Sequence, residues 1–198
     1  MYQNRNNEYE IISLFCGNLK NRFFLREISR KTNIPLKTVQ TALKNLETNS
    51  ILRSKIEGKN KYFFLNLDNI SSKLMILHAE IYKTEKFIQQ TLPVKTFINA
   101  TKSNTPMLVF GSFAKYSNRK SSDFDMVILI KEDKGIPFHL LPYKIHKIVL
   151  EEESFIKALA AQETVIQEGV DNHIILNNHS FFINAIWDYY GKKPLGLN

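Results

Sequence analysis

Apolar side chains recur at helical spacing in the first quarter of the chain, and short apolar runs follow them. The spacing predicts three helices that each bury one face, at residues 9–19, 24–32 and 36–48. Pro35 stands in a short turn before the third helix, where a missing N–H is tolerated. A β-hairpin is predicted next, with strands at residues 51–56 and 61–67 and a tight turn at 57–60.

A longer helix is predicted at residues 69–92, and it ends before Pro93 because the residue preceding a proline disfavours helical geometry. Its apolar stripe consists of Ile70, Leu74, Leu77, Ile81 and Ile88. We expect this stripe to pack either on the chain's own domains or on a second copy, which would form a homodimer. The sequence leaves both arrangements open.

The rest of the chain alternates short apolar runs with helical patterns. The stretch 107–131 holds two predicted buried strands, separated by a short helix at 113–116 and a polar, basic loop. The remaining predicted elements are helices at 94–102, 154–162, 164–169 and 180–190, strands at 146–150 and 173–176, and turns at 103–106 and 132–135. These elements predict a small mixed sheet flanked by helices.

Candidate chemistry lies in the stretch 107–131. Side chains two apart on a strand point the same way, so Asp123 and Asp125 project together while Phe124 faces the core. Two neighbouring carboxylates repel unless a cation lies between them, and oxygen ligands suit Mg²⁺. Gly111 and Ser112, at a strand end before a short helix, offer backbone N–H groups and a hydroxyl to a phosphate. Each feature alone is more often a solvated strand end or an ordinary turn, but together they favour phosphoryl or nucleotidyl transfer.

Gly111-Ser112, ten intervening residues and Asp123-Phe124-Asp125 resemble the signature of the DNA polymerase beta-like nucleotidyltransferase superfamily, and especially its small branch, the minimal nucleotidyltransferases. The resemblance implies that Asp123 and Asp125 are catalytic and bind two Mg²⁺. It also implies that Gly111 and Ser112 hold a nucleoside triphosphate, for which ATP is expected. Lys115 and Lys120 of the following loop are candidate nucleotide-binding cations, whereas Arg119 is expected to be solvated.

The chain departs from this family pattern in two places. Tyr116 stands where the local pattern usually has glycine, and it could narrow a phosphate pocket. The family places a third metal carboxylate on a neighbouring strand, but only His146 and Lys147 are polar in the predicted strand at 146–150. The acidic run 151–153 that follows is more typical of a helix start, where acids complement the helix dipole.

Charge is concentrated at the N-terminus. The net charge is +8, and residues 1–70 hold twelve Lys and Arg against six Asp and Glu, which favours a polyanionic partner for that part. The single cysteine, Cys16, excludes an internal disulfide framework and a cysteine-based zinc site. A polar start and the lack of a long apolar run predict a cytoplasmic protein without a membrane partner.

The order helix, helix, short turn, helix and hairpin with a basic tip resembles the winged helix-turn-helix fold. The resemblance implies that the third helix enters the major groove of double-stranded DNA and that the hairpin, or wing, contacts phosphates. The candidate DNA-binding residues are Lys37, Thr38, Gln40, Thr41 and Lys44 on the helix, and Arg53, Lys55, Lys59 and Lys61 on the wing. A winged helix that binds a protein instead is the alternative.

The sequence thus predicts an α+β protein with a winged helix-turn-helix at residues 1–68, a connecting helix at 69–92 and a nucleotidyltransferase-like domain at 93–198. Two functions are expected from different classes. One is a DNA-bound, Mg²⁺-dependent transferase that moves NMP from an NTP to a hydroxyl, with a protein as a fair guess for the acceptor. The other is a transcriptional regulator whose transferase-like domain is weak or inactive.

Overall fold

The structure is a computed structural model that describes residues 2–101, 104–131 and 135–191, with only the backbone for residues 2–4. It is a mixed α+β protein that divides into two compact units. The second unit comprises Lys83–Tyr189, and the first comprises the described residues up to Tyr82 together with Tyr190 and Gly191. The boundary between Tyr82 and Lys83 falls within one helix. The functional division at residues 68 and 92 stays a prediction, and the predicted turn at 132–135 lies mostly outside the described residues.

The first unit contains three helices and a three-stranded antiparallel sheet. The helices are α1 (Tyr2–Ser13), α2 (Leu25–Thr32) and α3 (Leu36–Thr48). The strands are β1 (Phe23–Phe24), β2 (Leu52–Glu57) and β3 (Asn60–Leu65), in the order β1-β3-β2. The predicted bounds of α3 are confirmed, and those of α2 and the hairpin strands are correct to within two residues.

The predicted extent of α1 was wrong at both ends. The helix begins at Tyr2 and ends at Ser13, whereas helical spacing predicted residues 9–19. After Ser13, the N–H groups of residues 14–16 donate to carbonyls three residues back, and Gly17 does not continue the helix. The apolar face still packs, because Phe15 and Leu19 are buried from the turn that follows.

The turn between α2 and α3 has a local cause. Asn33 ends α2 in the left-handed conformation with φ 56°, which asparagine tolerates better than most residues. The Ser29 hydroxyl donates to the Ile34 carbonyl at 2.7 Å and holds the turn closed. Pro35 then precedes the first residue of α3. The buried face of α3 consists of Val39, Ala42, Leu43 and Leu46.

The hairpin closes with a two-residue turn. Glu57 pairs with Asn60, and Gly58 has φ 58° while Lys59 does not have a positive φ, which is the pattern of a type II′ turn. Such turns match the twist of the strands and set their register. The register places Ser54 opposite Phe63 and aligns each side chain with a defined face.

The predicted connecting helix at 69–92 is α4 (Ile70–Gln90), and the helix predicted at 94–102 is α5 (Leu92–Ala100). Thr91 lies between them with φ −130° and ψ 74°, and Pro93 lies in the first turn of α5, so the predicted helix end before Pro93 is correct to within two residues. Three residues of the predicted apolar stripe, Ile70, Leu74 and Ile81, are 66%, 51% and 39% exposed, so the described part of the chain leaves them uncovered. Another face is buried, and on it the Ser72 hydroxyl donates to the Ile51 carbonyl at 3.0 Å. Packing of the stripe on a second copy stays a prediction.

The second unit is built on a four-stranded mixed sheet. Its strands are β4 (Met107–Val109), β5 (Phe124–Leu129), β6 (Ile145–Leu150) and β7 (Ile174–Asn177), in the order β6-β5-β4-β7. The β5–β6 pair is parallel, and the other two pairs are antiparallel. The further helices are α6 (Gly111–Ala114), α7 (Glu152–Ala160), α8 (Thr164–Asp171) and α9 (His179–Gly191), with a single 3₁₀ turn at Phe138–Leu140.

Buried side chains lie on both faces of this sheet, and an aromatic cluster around Phe124 packs on one of them. Phe124 is fully buried, stacks on Tyr143 with ring centroids 5.4 Å apart, and meets Phe113 edge to face at 4.9 Å. The predicted inward direction of Phe124 is therefore confirmed. Because strand side chains alternate, this anchoring turns Asp123 and Asp125 away from the aromatic cluster.

Candidate nucleotide site and candidate nucleic-acid surface

The end of β4 and the start of β5 bring the glycine turn against a carboxylate. The Phe110 N–H donates to the Asp125 carbonyl at 3.0 Å, and Gly111 follows with φ 67°. A Cβ atom on Gly111 would overlap the Asp125 Oδ2 atom. Glycine is therefore required here for its backbone angle and for the space that Asp125 fills. Ser112 follows in the short helix α6 and is half-buried.

Two basic residues that sequence reasoning did not assign to the site lie beside the aspartates. The Lys144 Nζ atom is 3.0 Å from the Asp123 Oδ2 atom, and the His146 Nδ1 atom is 3.1 Å from the Asp125 Oδ1 atom. Parallel pairing of β5 with β6 places Asp125 opposite His146, so the spacing Lys-x-His matches the spacing Asp-x-Asp. This equal spacing is visible in the sequence, but only the strand register shows that the two pairs lie side by side.

The candidate loop cations are not equivalent. Lys115 forms an ion pair with Glu168 of α8 at 3.2 Å, whereas Lys120 is exposed and has no ion pair with another described residue. Tyr116 has φ 53°, a left-handed angle that glycine adopts most easily, and its ring meets Phe87 edge to face at 6.1 Å. Tyr116 is 51% exposed, so half of its side chain faces solvent next to this loop.

The aspartates fit a cation that is shared with a nucleotide better than a site made of protein ligands alone. Within the described ranges, no three His, Cys, Asp or Glu side chains are gathered as a ligand set for a metal ion. Mg²⁺ usually takes one or two carboxylates and completes its shell with water and substrate phosphates, so two aspartates satisfy that chemistry. Glu151 precedes α7 as its N-cap residue and Glu152 and Glu153 lie in its first turn, as the sequence predicted for a helix start.

The exposed face of α3 forms a second candidate site. Lys37, Gln40, Thr41 and Lys44 are exposed, as is the neighbouring Asn45, while Thr38 is half-buried. Among the residues that the structure describes, Lys37 and Lys44 form no ion pair. We use the term α3 face for the side chains of Lys37, Thr38, Gln40, Thr41, Lys44 and Asn45. Its long polar groups and free cations are those that can meet base edges and phosphates.

The hairpin cations divide between two sides of the sheet. Ser54 and Lys61 contact Glu47 of α3, so they lie on the side that faces α3. Strand alternation then turns Arg53 and Lys55 to the outer side. There Arg53 pairs with Asp68 at 2.8 Å and Lys55 with Glu57 at 3.6 Å. Lys59 is exposed in the turn.

An open cleft of about 640 Å³ separates α3 from β3. Its lining side chains are Leu25, Gln40, Thr41, Leu43, Lys44, Asn45, Glu47, Lys61 and Phe63. The cleft thus joins the α3 face to the α3-facing side of the hairpin. Arg53, Lys55 and Lys59 do not line it.

Comparison with known proteins does not identify the chain. No protein-family model matches it, and no curated protein or solved structure is significantly similar to it. None of the helices in the described part of the chain is both long enough and apolar enough to cross a bilayer.

Proposed function

We propose that the first unit binds double-stranded DNA and that the second is a Mg²⁺-dependent nucleotidyltransferase. The second unit would transfer NMP from an NTP to a hydroxyl group. The expected NTP is ATP, and the expected acceptor is a protein. The observation that carries the transferase proposal is the close approach of the Asp125 carboxylate to Gly111 at the start of α6. A phosphate-binding turn and a cation-binding carboxylate are needed at the same place for this chemistry.

The DNA proposal is supported by the order of elements in the first unit and by the α3 face. Three helices and a hairpin are the parts of a winged helix, in which the third helix enters the major groove. Gln40 is exposed and can form two hydrogen bonds with an adenine edge, Lys37 can donate to a guanine edge, and Lys44 can neutralise a phosphate.

Each residue of the nucleotide site has a proposed role. Backbone N–H groups at Gly111 and Ser112, with the Ser112 hydroxyl, would hold phosphate oxygens, and Lys115 and Lys120 would balance the charge of the triphosphate. Asp123 and Asp125 would hold Mg²⁺. When bound, the ion supplies charge neutralisation of the phosphates and orientation of the transferred group.

Radiolabelled ATP, CTP, GTP and UTP, each labelled at the α-phosphate and supplied with Mg²⁺, test the transferase. We expect label on the protein or on a co-purified partner, and its loss in Asp123→Asn and Asp125→Asn. Asp188→Asn is the matched control, because Asp188 is an exposed carboxylate on α9. Equal labelling in all four proteins would contradict the proposed roles of Asp123 and Asp125.

A second candidate is a DNA-binding regulator whose second unit binds nucleotide without transferring it. The observation that favours it is the ion pair of Asp123 with Lys144 and the contact of Asp125 with His146, which give both aspartates a partner other than a metal ion. In the labelling experiment, saturable nucleotide binding with no covalent label would support this candidate over the enzyme.

A further inference from the structure

Glu47, near the C-terminal end of α3, joins this helix to both strands of the hairpin. Its Oε1 atom accepts a hydrogen bond from the Ser54 hydroxyl of β2, and its Oε2 atom accepts one from the Lys61 ammonium of β3 at 2.8 Å. A single carboxylate therefore connects the α3 helix to the α3-facing side of both hairpin strands. No sequence pattern marked Glu47 as functional.

The same carboxylate lies in the cleft between α3 and β3. Lys44 and Lys61 stand on the two walls of this cleft, on α3 and β3 respectively, and both are exposed. Phe63 lies beside Lys61 and places its ring 5.1 Å from the ammonium, so the Lys61 side chain is held by an aromatic face as well as by Glu47. Two cations on facing walls are complementary to the charge of a sugar–phosphate strand.

We propose that the cleft between α3 and β3 holds one sugar–phosphate strand of the bound duplex, and that Glu47 is a positioning residue that fixes Lys61 on the hairpin side of it. The proposal rests on DNA binding by the first unit. Arg53 and Lys55, on the outer side of the hairpin, make no contact with this strand.

Removal of Glu47 should weaken DNA binding if the residue positions Lys61, and should tighten it if only the charge of the residue matters. The hydrogen bond from Lys61, followed by that from Ser54, holds the pKa of Glu47 below its ordinary value, so the residue is anionic near neutral pH. An anion in a DNA-binding cleft opposes DNA, and its removal alone would tighten binding. If Glu47 instead positions Lys61, its removal frees the ammonium and weakens binding even though the protein becomes more positive.

Fluorescence anisotropy with a labelled mixed-sequence duplex of about three helical turns, titrated over a range of salt concentrations, tests the proposal. Glu47→Ala is expected to bind about three- to tenfold more weakly and to lose about one phosphate contact from the salt slope. Glu47→Gln keeps one oxygen that can accept from Lys61, while its amide N–H can donate to the Ser54 hydroxyl oxygen, and this variant is expected to stay within about twofold of wild type. The matched control is Glu57→Ala, which removes the same charge from the hairpin but contacts Arg22 and Lys55. We expect that variant to bind as tightly as wild type or more tightly.

Tighter binding by Glu47→Ala, to the same degree as Glu57→Ala, would overturn the proposal. Circular dichroism and thermal unfolding check the fold of every variant. If Glu47→Ala does not fold, the comparison of Lys61→Ala with Lys55→Ala tests the proposal, because Lys61 lines the cleft and Lys55 does not. Lys61→Ala must then lower the salt slope by about one contact while Lys55→Ala leaves it unchanged, and equal slopes would refute the proposal. A wild-type protein that binds no duplex at low salt would instead refute DNA binding itself.

Discussion

The Asp125 carboxylate fills the space in which a side chain on Gly111 would begin. These residues lie on different elements, and the hydrogen bond from the Phe110 N–H to the Asp125 carbonyl at 3.0 Å holds them side by side. The turn that would bind phosphate and the strand that would bind a cation are consequently one rigid arrangement. A change at Gly111 should therefore affect folding and ligand binding together.

Gly111→Ala is expected to destabilise the protein by about 1–3 kcal/mol, because alanine is strained at φ 67° and its Cβ would displace Asp125. Urea unfolding measures the free energy. Gly58→Ala is the matched control, since Gly58 has φ 58° and nothing within 4 Å of its Cβ position. The excess loss in Gly111→Ala is the cost of the overlap, and equal losses would show that Asp125 moves aside freely.

Lys144→Ala is expected to leave stability within about 1 kcal/mol of wild type, because Lys144 is 82% exposed and such surface ion pairs contribute little. The same change leaves Asp123 without its positive neighbour. Mg²⁺ with a non-hydrolysable ATP analogue should then bind at lower Mg²⁺ concentration, which isothermal titration calorimetry measures. Weaker binding would instead assign Lys144 to the phosphates of the nucleotide.

Glu47 should make the free energy of unfolding depend on pH. Its pKa is lowered from 4.5, first by the hydrogen bond from Lys61, so this contribution is fully present above pH 4.5 and is lost as the pH falls through the lowered value. Glu47 and Lys61 are 35% and 45% exposed, which limits the effect to about 1 kcal/mol or less. Urea unfolding at neutral pH and near pH 3 should show a larger loss for wild type than for Glu47→Gln. An equal loss in both proteins would contradict the role of this carboxylate.

Substitutions on the α3 face should change the sequence preference of DNA binding, whereas a substitution in the hairpin turn should change only its affinity. Gln40→Ala is expected to reduce discrimination between base pairs by about 1–3 kcal/mol, and Lys37→Ala to alter sequence preference as well. Lys59→Ala should weaken all duplexes alike, because it lies in the turn and can meet only the backbone. Selection from a random duplex library, followed by gel-shift titration of selected and shuffled duplexes, separates these effects. Unchanged preference in Gln40→Ala would exclude base contact by this residue.

Helical spacing predicted the ends of α3 and its buried face, except that Leu36 is 44% exposed, because periodicity and the turn at Pro35 are local properties of the chain. For α4 the spacing left open what covers the apolar stripe, and Ile70 and Leu74 are exposed. Periodicity identifies an apolar stripe but does not show whether another element covers it. The break between α4 and α5 was predicted two residues late, because Pro93 suits the first turn of a helix as well as the position after its end.

The sequence by itself determined the type and order of the elements around the candidate sites, and it placed Asp123 and Asp125 on one side of a strand, because these properties depend on spacing along the chain. Only the tertiary structure decided which groups lie beside them. Parallel register brought Lys144 and His146 to the aspartates, and hairpin register separated Lys61 from Arg53 and Lys55. Register depends on how separate strands pair, and a change of one residue would move every side chain to the opposite face.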